Sequence, residues 1–315
     1  MEIVNAALMW SAVVVLAITA QRRGEQSTLF AADAIALSLT FNIDAVYLAI
    51  DGWLGGWNLL DLISNLLLTC GIYLLSRAAL RAAHGPRFSS RLLRTGLGVT
   101  IAGIVGTFFL IEQGASSTTF MLDYGSQLAA ALYSTIQFSY VGVVMIYTAA
   151  TCLRYLPSMS FIGFRAGFAI IAVGCALAVV LVGLILTMNL LNLIGSPHLQ
   201  SVSVFYTPLY VSAILVLCVG YCTPPLTRMI ARARWNRAGQ RAYRQLLSIH
   251  RGTAGDQLTA PPYSTAELHR LTVTVLDHFA ANPDERPSPG TEKAIAAAED
   301  ILMRGHSSHE PQPTP

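Results

Sequence analysis

Apolar residues run in seven long stretches separated by short polar connectors, at 3–20, 29–50, 59–75, 92–111, 128–153, 167–191 and 202–221. Most are near the roughly 20 residues that an α-helix needs to cross the hydrocarbon of a bilayer. The pattern predicts an all-α membrane protein, a bundle of seven transmembrane helices over residues 1–222. Pro224-Pro225 predicts the end of the seventh helix, because proline lacks an amide donor and clashes with the preceding turn. Beyond it the pattern changes to a small helical tail over 223–315. Residues 226–251 interleave arginines with Trp235, Tyr243, Leu246 and Ile249 and predict a basic juxtamembrane helix lying along lipid headgroups. Ser264-Thr-Ala-Glu267 has capping-box spacing ahead of Leu268, Leu271, Val275 and Phe279. Two short helices are predicted within 264–303, and a disordered end over 304–315.

Charge turns this pattern into an orientation. Arg22 and Arg23 follow the first stretch, Arg77, Arg81, Arg87, Arg91 and Arg94 the third, and Arg154 and Arg165 the fifth. The remaining basic residues follow the seventh, from Arg228 onwards, while connectors 51–58, 112–127 and 192–201 hold no lysine or arginine. The positive-inside rule then predicts an outer amino terminus, a cytoplasmic carboxyl terminus and a multi-pass protein of the plasma membrane. Arg22-Arg23 after the first apolar run, with no basic residue before it, predicts that this run is retained as a helix. The chain is 54% hydrophobic and 12% charged, with a mean hydropathy of +0.54, which excludes a soluble enzyme. Arg228, Arg232, Arg234, Arg237, Arg241 and Arg244 are the expected contacts to anionic headgroups, so the basic balance points to lipid and not to nucleic acid. A cytoplasmic protein partner is the other expected ligand of the tail.

Polar side chains inside the stretches carry the candidate chemistry. Asp33, Thr40, Asp44, Tyr47 and Asp51 share one sector of the second stretch if it is a single helix. The third stretch repeats the pattern with Asn58, Asp61, Asn65 and Thr69, the fifth with Tyr133 and Gln137, and the seventh with Tyr206 and Tyr210. Asp44, Asp61, Asn65, Tyr133, Gln137, Tyr206 and Asp33 are therefore predicted to form a polar interior for a small polar ligand from the outer side. Asp44 is its expected centre, hydrogen-bonded by groups such as Asn65, Gln137 and Tyr206. Carboxylates there could change protonation during a cycle, because desolvation disfavours the charged form. The alternative is that the neutral groups only join helices by hydrogen bonds. Asp51 and Asp61 bracket an outer connector, where solvation would lower their weight.

Absences exclude several chemistries. No lysine precedes Lys293, so no retinal Schiff base can form in the bundle. No histidine falls in an apolar stretch, which removes the ligands of an intramembrane zinc site and the base of a rhomboid-type serine protease. His269 and His278 lie nine residues apart, on opposite sides of a helix. No cofactor, metal or enzymatic activity is expected. The segments Ala36-Leu-Ser-Leu-Thr-Phe-Asn-Ile-Asp-Ala-Val-Tyr-Leu-Ala-Ile-Asp51 and Asn58-Leu-Leu-Asp-Leu-Ile-Ser-Asn65 resemble an uncharacterised actinobacterial multi-pass membrane family labelled as transporters. That resemblance implies transport of a solute and supplies no site residues. Transport of a small polar solute, with proton coupling through the aspartates, is thus the first expectation. The alternative is a seven-helix sensor whose tail docks a signalling partner.

Overall fold

The computed structural model describes residues 2–20, 27–85, 91–159, 161–254, 263–284 and 286–307. Among them the regular structure is wholly helical: α1 (Glu2–Ala20), α2 (Ser27–Phe41), α3 (Asp44–Trp53), α4 (Leu59–His84), α5 (Arg91–Phe108), α6 (Phe120–Tyr124) and α7 (Leu128–Tyr155). Then follow a 3-10 turn (Leu156–Ser158), α8 (Ile162–Leu193), α9 (Leu199–Ser203), α10 (Tyr206–Ala254), α11 (Thr265–Ala281) and α12 (Pro289–Ser307). Four segments are long and apolar enough to cross a membrane, namely Leu59–His84, Leu128–Ser158, Ile162–Leu193 and Leu199–Arg251. The bent pair α2/α3 makes a fifth if it counts as one span, and α1 contributes a shorter apolar helix.

The single helix expected over 29–50 is broken. Helix α2 stops at Phe41, and α3 leaves at 89° to it. Asn42 still donates its backbone N–H to Ser38 O (3.2 Å), but its side-chain amide is drawn to Ser64 Oγ on α4 (3.1 Å), and Ile43 is extended at φ −74°, ψ 122°. Asparagine and a β-branched residue are both weak helix formers, so an outside partner decides the local conformation. The freed end of α2 is satisfied by one hydroxyl. Ser64 Oγ donates to Ser38 O (3.1 Å) and receives the Asn42 amide. Its proton is then spent, so in the 3.0 Å contact between the two serine hydroxyls Ser38 is the donor.

The chain divides into two compact units, residues 1–227 and 228–315. In the first, close approach is set by glycine. A Cβ added at Gly71 of α4 would lie 2.6 Å from Ile35 Cγ1 on α2, and one at Gly167 of α8 would lie 2.5 Å from Pro224 Cγ on α10. Small residues of this kind are how membrane helices bring their backbones together. On α5 the contacts come from Gly96 against Tyr140 and Gly103 against Ile136, while Gly98 and Gly106 meet nothing. The hydroxyl of Tyr140 also donates to Leu93 O (3.0 Å), fixing α5 on α7.

The seventh apolar stretch departs from expectation at Pro224-Pro225. Helix α10 continues through both prolines. Pro224 seats its ring on Gly167, and Thr223 and Thr227 return their hydroxyls to Val219 O (2.6 Å) and Thr223 O (2.8 Å), which are among the ways a membrane helix absorbs proline. Pro208 lies in the first turn of α10, where no intrahelical donor is needed.

In the second unit, Ala242, Tyr243 and Leu246 of α10 pack with Leu268 and Val275 of α11 and Ala294, Ala298 and Ile301 of α12. Ser264 Oγ accepts the Glu267 N–H (3.1 Å) and caps α11. Burial pushes the Tyr263 phenol up from its ordinary range. Residues 304–307 lie in α12, and 308–315 lie outside the described residues, as do Arg22, Arg23 and Arg87.

Candidate functional site

The connectors that carry no lysine or arginine meet at one end of the first unit. Ser116 Oγ and Asp51 Oδ2 are hydrogen-bonded (2.5 Å), and Asn192 Nδ2 donates to Met121 O (2.8 Å). Two of the polar groups at this end centre on aspartates of the second and third apolar stretches. The first is a clamp around Asp51, which is fully buried. Its Oδ2 also accepts the Asn58 N–H (2.9 Å), and its Oδ1 accepts the Leu60 N–H (3.1 Å). Those are two of the donors that the start of α4 leaves without a helical partner. Asn58 takes the left-handed conformation at φ 52°. Its Oδ1 accepts from Tyr47 OH (3.0 Å) and Ser117 N–H (2.8 Å), and its Nδ2 donates to Ala115 O (3.4 Å). The α3–α4 corner is thereby fastened to the connector between α5 and α7.

The second group lies one turn further along α4. Asp61, Asn65 and Thr69 follow at helical spacing, and α7 presents Tyr133 and Gln137 opposite them. Tyr133 OH donates to Asp61 Oδ2 (2.7 Å), and Asn65 Nδ2 donates to the same oxygen (3.0 Å) and to Tyr133 OH (2.9 Å). Gln137 Nε2 donates to Asn65 Oδ1 (3.0 Å). The side-chain bonds from Gln137 through Asn65 and Tyr133 thus converge on one carboxylate oxygen. Phe108 packs tilted and Phe120 edge-on against Tyr133, with ring centroids at 5.8 and 6.0 Å, and Tyr133 and Gln137 are each 1% exposed. Asp61 itself is half-buried. Its Oδ1 accepts no hydrogen bond from the described residues, and neither Asp61 nor Asp51 has a cationic partner among them. Nor do any described residues form a group that could hold a metal ion.

The structure brings together Asp61, Asn65, Tyr133 and Gln137 and separates the other candidates from them. Asp44 is exposed in the first turn of α3, beyond the break, and makes no hydrogen bond or ion pair with the described residues. The partners expected for it, Asn65 and Gln137, bond to each other. Tyr206 stacks on Tyr210 instead (5.5 Å, 11°), and Asp33 is half-buried on α2. Asp51, Asn58, Tyr47 and Ser116 form the clamp that spacing alone did not assemble. A left-handed asparagine between two helices was the one available signal, and only the backbone reveals it. Beyond this end, α1, α2, α4, α7, α8 and α10 line a partly open cavity of about 100 Å³. It begins within one turn of Asn65 and Gln137, at Leu68, Phe138 and Val141.

These features define a helical, membrane-embedded protein with a carboxylate-centred polar group. No family model matches the chain, and no curated protein or solved structure matches it either.

Proposed function

We propose that the protein is a seven-crossing membrane sensor, amino terminus outside and carboxyl terminus inside. Its Asp61 receives a small polar solute or a proton from the outer side. The observation that carries this reading is the half-tied carboxylate. One oxygen of Asp61 is held by Tyr133 and Asn65, and the other accepts nothing from the described residues. A solute with N–H or O–H donors, or a proton, completes that oxygen, and the change passes along Asn65 to Gln137 on α7. Sensing is favoured over passage because the side chains that face the cavity next to this group are apolar, Leu68 and Ile72 on α4 and Phe138 and Val141 on α7, while the hydroxyls of Thr69 and Tyr140 are spent on backbone carbonyls. The exposed arginines Arg232, Arg234, Arg237, Arg241 and Arg244 hold the inner end of α10 at anionic lipid or at a cytoplasmic partner.

Transport, the first expectation from the sequence, becomes the second reading; it is favoured by the α2–α3 break, since interrupted helices mark substrate sites in many carriers. The deciding experiment uses purified protein in sealed vesicles. Trp53 and Trp57 fluorescence is followed as external pH and candidate solutes are varied, with uptake measured in parallel. Sensing predicts a fluorescence transition that Asp61→Asn lacks, with no accumulation inside. Sustained solute or proton uptake overturns it in favour of transport. Labelling of an Ala115→Cys variant from outside intact cells tests the orientation, and labelling only after permeabilisation reverses it.

A further inference from the structure

The reading above assigns no occupant to the cavity beside the polar group. We propose that it is a lipid site, which holds a segment of the acyl chain of a membrane phospholipid. Its walls carry no charged residue, and their only polar side-chain atoms are the phenols of Tyr210 and Tyr221 and the thiols of Cys218 and Cys222. Water needs two to four polar partners to occupy a buried site, and apolar cavities of this order, about 150 Å³ in an engineered case, stay dry and take up small hydrocarbons. At about 100 Å³ the space suits several carbons of a chain and no polar solute of comparable size. The six surrounding helices include all four long apolar spans, so the hydrocarbon within reach is lipid. An entry side is also present. Only 6% of the most apolar stretch of Leu199–Arg251, the span that contains the cavity-lining part of α10, is buried, against 44% in each of the other three long spans, so this side of the cavity is backed by little protein.

Photolabelling of the full chain in phospholipid nanodiscs tests the site, with a probe lipid that carries a diazirine midway along one acyl chain. In the unmodified protein the label is expected on cavity residues of α8 and α10, Ala178, Leu181, Ala213 and Leu217. Label confined to outward residues such as Val180 and Val219 overturns the proposal without any variant. Ala178→Phe and Ala213→Phe fill the cavity and are each expected to cut labelling of those peptides at least five-fold. Val180→Phe, on an exposed position, leaves it unchanged. Unchanged labelling in a folded cavity-filling variant, or an equal loss in Val180→Phe, also overturns it.

Discussion

Replacement of Asp51 by alanine removes the one acceptor shared by Asn58 N–H, Leu60 N–H and Ser116 Oγ. The site is fully buried, so the two backbone donors lose their partner with no alternative nearby. Each buried unpaired donor costs about 1–3 kcal/mol. The carboxylate also faces the positive end of α4, worth ~0.3–1 kcal/mol at a surface and up to ~2 where partly buried. Ser116 can turn to another acceptor and adds little. The expected loss is therefore about 3–5 kcal/mol for Asp51→Ala. Asp51→Asn keeps the shape and one acceptor oxygen but turns an NH₂ towards a donor, for about 1–2 kcal/mol less damage than alanine. Equilibrium unfolding of the purified protein by SDS in mixed bicelles measures both, and fluorescence of Trp53, two residues from the clamp, reports the local event. An alanine variant within about 0.5 kcal/mol of the parent, or an asparagine variant worse than alanine, refutes the clamp.

Other perturbations address separate parts of the fold. Asn58→Gly removes the side-chain bonds but suits the left-handed backbone, so it is expected to be milder than Asn58→Ala by ~1 kcal/mol in the same assay. Tyr133→Phe withdraws one of the two donors to Asp61 Oδ2 and should lower stability by ~1–2 kcal/mol while sparing helicity by circular dichroism. Gly167→Leu drives a side chain into Pro224, and a disulfide-trapping pair across α8 and α10 should then form more slowly than in the parent background. Ser264→Ala removes the α11 cap at a cost of ~1 kcal/mol, read as faster amide exchange of Glu267.

The helical, membrane-embedded character was legible because long apolar runs leave few alternatives, and the meeting of Asp61, Asn65, Tyr133 and Gln137 followed from spacings of four residues on two helices. The bend at Asn42 was hidden, since nothing local to the second stretch announces Ser64 as its partner. Asp51 read as solvent-facing for a similar reason. Its partners are two backbone amides and a serine 65 positions away, which side-chain patterns do not display. Asp44 read as central only because a straight helix was assumed, and the break moves it onto another axis. Pro224-Pro225 read as a terminus because the sequence alone does not show Gly167 making room for the ring.

The corner between α2 and α3 has a consequence for how such a chain can change over generations. Ser64 spends one proton and receives two, so it has no spare capacity in that setting. Loss of Ser64 leaves the Asn42 amide and the Ser38 hydroxyl without the partner they share, whereas joint replacement by residues that restore a continuous α2 leaves none unpaired. The three positions are therefore expected to change together or not at all. Aligned relatives that keep two of them and vary the third freely would show that the corner is dispensable.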